Sequence, residues 1–90
     1  MFRYNPATLL KLEQLFREGD YVIRYEKGNF KAGFCVLRDK RVVVINKYFD
    51  TESRINSLLD ILAEVDLDSS KLSEKSVDLL RQIKETHVSA

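Results

Sequence analysis

The chain reads as an α+β domain: an N-terminal helix, a three-stranded antiparallel sheet, and two C-terminal helices packed on one face of that sheet. Two patterns predict this. Apolar residues recur at three- and four-residue spacing near both ends of the chain, and β-branched and aromatic runs fill the stretch between them. The length, 90 residues, limits the chain to a single domain with one core, spanning residues 1–90.

Asn5-Pro6 is an N-cap followed by proline at the first helical position, where the missing N–H is not needed. Leu9, Leu12, Leu15 and Phe16 then form one apolar stripe, so a helix is predicted over 6–18, ended by Gly19. A strand follows over 21–26, with Tyr21, Ile23 and Tyr25 on one side and Val22, Arg24 and Glu26 on the other. Strands over 34–38 and 41–46 flank Asp39-Lys40 at hairpin spacing. The run from Val42 to Ile45 has no polar face, which marks a central strand, covered on both sides or covered on one and paired with another chain on the other. Asp50 or Thr51 caps a helix over 51–65 in which Ile55, Leu58, Leu59 and Leu62 share a face, extended by Ile61 and Val65. A last helix, over 70–86, starts near Ser69 or Ser70 and carries Leu72, Leu79, Leu80 and Ile83 inward.

Composition removes several function classes. Cys35 is the sole cysteine and His87 the sole histidine, so there is no internal disulfide, no CxxC pair and no zinc framework. No cofactor-binding string is present: the Gly28 and Gly33 spacing precedes no helix and is not a phosphate-binding fingerprint. The longest apolar runs fall far short of a membrane span, and Met1 to Pro6 lead straight into an amphipathic pattern, which predicts a cytoplasmic location. Asp60, Glu64, Asp66 and Asp68 lack the glycine and closing glutamate of a calcium loop and read as a solvated acidic face rather than a metal site. Cys35, between Phe34 and Val36, reads as a small buried hydrophobe.

Charge is divided unevenly. Residues 21–48 carry seven cations against two anions, and residues 49–90 carry five against nine. That asymmetry bears on partners rather than on fold. The basic part is densest where Tyr25, Phe30 and Phe34 interleave with Arg24, Lys27 and Lys31 around the two glycines. Those glycines serve the backbone, by turning the chain or permitting a bulge, or else let Asn29, Phe30 and Lys31 protrude as a recognition loop. The polar neighbours of Phe30 favour its exposure. Arg24, Lys27, Asn29, Phe30, Lys31, Arg38, Lys40 and Arg41 are therefore the candidate partner or nucleic-acid surface.

Two resemblances add to this reading. Arg24-Tyr25-Glu26, Gly28, Phe30-Lys31, Gly33 and Cys35, followed by an apolar strand, a leucine-rich helix and Asp66-Leu67, resemble a family of short uncharacterised bacterial proteins over about residues 9–83. The resemblance implies architecture and a bacterial context, and no activity. Val44-Ile45-Asn46 and the helix after them also resemble the small metallopeptidase scaffold in which a strand ending in asparagine leads to an HExxH helix. Here Leu59, Asp60 and Ala63 stand where that motif has its first histidine, its glutamate and its second histidine, so this resemblance implies a scaffold without zinc ligands. No residues suggest an acid and base pair. The sequence thus predicts a non-enzymatic binding or regulatory module acting through protein contacts, self-association as a homodimer included, with no metal, cofactor or membrane partner. The alternative is RNA, DNA or ribonucleoprotein binding through residues 24–41, for which counterion release would impose a steep salt dependence.

Overall fold

The computed structural model describes residues 3–28, 32–37 and 40–86, with the backbone alone at 32–37, 40 and 86. In chain order the elements are α1 (Pro6–Glu18), β1 (Tyr21–Glu26), β2 (Ala32–Leu37), β3 (Lys40–Asn46), α2 (Thr51–Glu64), a 3-10 turn (Ser69–Lys71) and α3 (Glu74–Thr86).

Local chemistry sets most of these bounds. Asn5 Oδ1 accepts the Thr8 N–H at 2.9 Å, capping α1 with Pro6 at its first position. At the other end the left-handed residue is Asp20, at φ 70°, and not Gly19. Gly19 meets a different demand, because a Cβ there would lie 2.7 Å from Leu67 Cδ2. Asp50 caps α2 by accepting the Ser53 N–H at 2.8 Å, which holds its carboxyl below the usual carboxylate range.

The sheet corrects the expected all-antiparallel arrangement. Its order is β1-β3-β2, with β2 antiparallel to β3 but β1 parallel to it, Tyr21 opposite Arg41 through Glu26 opposite Asn46. β1 ends beside the close of β3, and β2 begins on the other side of β3, two strand spacings or about 9.6 Å away, a crossing that a five-residue link can span. At this corner Asn46 Nδ2 donates to Gly28 O at 2.9 Å, and Lys47 N–H donates to Glu26 O at 2.9 Å. The apolar Val42–Ile45 run takes the centre, and the half-polar β1 takes an edge. β2 also begins two residues earlier than expected, so Gly33 lies inside it, opposite Val44.

Inward positions of the sheet meet α1 and α2 in one core. Val43 and Ile45 are fully buried with Leu12, Leu15 and Phe16 of α1 and Ile55 and Leu58 of α2, each such side chain contributing about 1.5–3 kcal/mol of burial. Phe16 and Tyr21 meet edge to face with centroids 5.7 Å apart.

The two C-terminal helices do not both lie on the sheet as expected. α2 does, whereas α3 makes its main contact with α1, placing Leu79 and Ile83 in the core cluster. The helix start expected near Ser69 or Ser70 is the short 3-10 turn, capped by Asp68, and α3 proper begins at Glu74, where Ser73 Oγ accepts the Ser76 N–H. No helix among the described residues is long and apolar enough to cross a membrane.

Candidate functional site

A partly enclosed polar cluster sits where β1 ends against α1 and α2. Tyr25 points toward the helices, and its hydroxyl donates to Oε2 of Glu13, a residue only 7% exposed. The Arg54 guanidinium lies 4.6 Å from the Tyr25 ring centroid and donates from Nε to Phe49 O and from Nη2 to Lys47 O, both at 2.9 Å. Burial pushes the Tyr25 phenol well above its ordinary range, and the hydrogen bond and charge of Glu13 push it further. The Tyr25 hydroxyl and the Glu13 carboxylate are engaged with each other. The cluster is a strut joining α1, β1 and the β3–α2 turn. Sequence reasoning missed it, although one signal was there: Glu13 stands four residues after Leu9 and three before Phe16, inside the apolar stripe.

On the opposite side of the sheet no helix is packed among the described elements that form the core. Alternation puts Val22, Arg24 and Glu26 of β1 on this face beside Val42, Val44 and Asn46 of β3. Val42 is buried and Val44 half-buried, but Val22 is 48% exposed. Arg24 Nη2 and Glu26 Oε1 pair along the strand at 3.3 Å, both side chains exposed.

The cations singled out from sequence fall in different places. Arg24 is on the face opposite the helices, and Lys27 is exposed beyond the far end of β1. Arg41 lies at the near end of β3, its guanidinium 5.7 Å from the ring centroid of Tyr21 on the helix side. Lys40 opens β3, opposite Leu37. Asn29, Phe30, Lys31 and Arg38 lie outside the described residues, as does His87. Arg24, Lys27 and Arg41 thus share no single face.

The remaining polar features anchor the C-terminal part. Glu18 accepts the Ser73 N–H at 2.7 Å and Gln14 Nε2 at 2.9 Å, and these bonds, the Ser73 backbone first, hold its carboxyl down at about 2. Asp20 pairs with Lys71, raising the lysine's pKa. Between α1 and α3 runs a groove of about 590 Å³ bordered by Leu10, Gln14, Glu18, Ser73 and Gln82. Asp60, Glu64, Asp66 and Asp68 are exposed, and Asp68 is used as a cap. No group of three or more His, Cys, Asp or Glu side chains gathers among the described residues. At the positions aligned with the HExxH motif, Leu59 is buried in the core while Asp60 and Ala63 are exposed. Compared with protein-family models, curated proteins and solved structures, the chain matches none.

Proposed function

We propose that this chain is a small non-enzymatic binding or regulatory module that acts through protein contacts, using the sheet surface opposite its helices. The observation that carries the reading is Val22, 48% exposed in an apolar row with Val42 and Val44, on the face away from α1 and α2. A partner covering that row removes apolar area from water at about 25 cal/mol per Å². The enclosed polar groups support the same reading, since Glu13 and Asn46 are committed to bonds that hold the fold. The basic-segment alternative gains no support from Arg24 and Arg41, which lie on opposite faces of the sheet.

Capture of the tagged protein from its native cell, with and without nuclease, tests the reading when run beside Val22→Glu. The expected result is a nuclease-resistant protein partner retained by the wild type and lost by the variant. Because the site is exposed, the variant should remain folded, with a stability cost of about 1 kcal/mol or less. A partner held equally by both proteins would refute the use of this face. Capture that vanishes with nuclease would favour nucleic-acid binding instead.

A further inference from the structure

We propose that β1 pairs edge to edge with β1 of a second copy of this chain, antiparallel about a two-fold axis at Tyr25, joining two three-stranded sheets into one. The proposal rests on reading the protein as one that works through protein contacts, and it names the partner at the sheet's edge.

The first support is the ladder. Lys47 N–H donates to Glu26 O, so the backbone groups of Glu26 point toward β3, as do those of Arg24 and Val22 by alternation. The N–H and C=O of Ile23 and Tyr25 therefore point outward, where no strand is paired among the described residues. Exposure agrees with an open edge. Ile23 and Tyr25 are half-buried, whereas Val43 and Ile45, opposite them in register, are fully buried. Solvent reaches the outer side of β1.

The second support is charge. Charged side chains on an edge strand ordinarily guard it against pairing. That guard depends on what the charges would meet. With the axis at Tyr25, the outward groups of Tyr25 meet their own copies, and Arg24 of each chain faces Glu26 of the other. These two symmetry-related pairs fall at non-hydrogen-bonded positions, where Cα atoms are about 4.5 Å apart and side chains are closest. Moving the axis to Arg24 would set Arg24 against Arg24. Moving it to Ile23 would set Glu26 against Asp20. Among these neighbouring registers only the one at Tyr25 is self-complementary, and the Arg24–Glu26 pair at 3.3 Å within each strand supplies both partners for it.

Charge exchange tests this directly. Wild type, Arg24→Glu, Glu26→Arg and the double exchange are compared by sedimentation over micromolar concentrations, with circular dichroism confirming the fold. Wild type should dimerise, and each single variant should dimerise at least about tenfold more weakly, since two attractive pairs become repulsive. The equimolar mixture of the two single variants should recover the dimer, as should the double exchange, which also serves if a single variant fails to fold. In the dimer the amides of Ile23 and Tyr25 should exchange more slowly than in the weakened variants. A monomeric wild type, a dimer indifferent to both single changes, or unprotected Ile23 and Tyr25 amides in the dimer would each overturn the proposal. A monomer whose Val22→Glu variant still loses a captured partner would leave the broader protein-contact reading standing and remove only self-pairing.

Discussion

Replacing Tyr25 with phenylalanine isolates the polar strut beneath the sheet. The ring stays, and with it the stacking of Arg54 at 4.6 Å, so the hydroxyl alone is removed. What it leaves is the carboxylate of Glu13, a residue 7% exposed, without the donor it has in the wild type. Stranding a buried acceptor costs about 1–3 kcal/mol, and a charged one belongs in the upper part of that range, so the expected loss is about 2 kcal/mol. Domains of this size hold roughly 5–13 kcal/mol in total, and a 2 kcal/mol loss lowers Tm by about 8–16 °C.

Glu13→Leu should be milder, at about 1 kcal/mol or less, because it extends the Leu9–Phe16 stripe and the half-exposed phenol can turn to water. The double variant should lie within about 1 kcal/mol of wild type, since both polar partners go together. Urea denaturation of the four proteins at pH 7 closes the cycle, with an expected coupling of about 1–2 kcal/mol. Additive losses, within about 0.5 kcal/mol, would refute the strut. Alkaline titration supplies an independent check. The phenol is raised above its ordinary value of 10.0 in the folded chain, so its contribution is fully present below pH 10 and is lost as pH rises beyond it. Tyr25→Phe should remove that part of the alkaline decline.

Three further outcomes follow from other contacts. Glu18 is lowered from 4.5 to about 2, so its contribution is present above pH 4.5 and lost as pH falls toward 2; Glu18→Gln should flatten that acid limb, at a neutral-pH cost of about 1 kcal/mol or less for so exposed a group. Asn46→Asp keeps the oxygen that accepts the Tyr48 N–H but sets a carboxylate against Gly28 O, and denaturation should show a loss of about 1–3 kcal/mol; unchanged stability would mean the crossing is not held there. Asp20→Gly relieves a φ of 70° while giving up the exposed pair with Lys71, so urea midpoints should place it close to wild type, with Asp20→Ala lower by about 1 kcal/mol.

What the sequence disclosed and what it hid divide along the reach of the interactions. α1 and α2 were legible because their caps, Asn5-Pro6 and Asp50, act within three residues of the groups they satisfy. The central place of β3 was legible too, since four consecutive apolar residues cannot face water on alternate sides. The order of the strands was not. Alternation in Tyr21–Glu26 states which residues face inward but not which strand lies alongside, and a link of a few residues with a glycine fits a hairpin as well as a crossing. One contact that goes with the crossing, Asn46 reaching Gly28 eighteen residues away, is contained in no local pattern.

The start of α3 was missed for a similar reason. Ser69, Ser70 and Ser73 are all plausible caps by themselves, and the last is reinforced by Glu18 of α1, which accepts its backbone N–H at 2.7 Å. Glu13 shows how such long-range pairs can still be sought from sequence. A charged residue on an apolar stripe needs a partner, and β1 offers two inward-facing hydroxyls, Tyr21 and Tyr25, of which Tyr25 is the one that reaches Glu13. The same reasoning directs attention to Arg24 and Glu26. Their pairing within the strand offsets their charges in a single copy, yet their spacing of two lets them exchange partners across a two-fold axis, so an edge that looks guarded in isolation is self-complementary between copies.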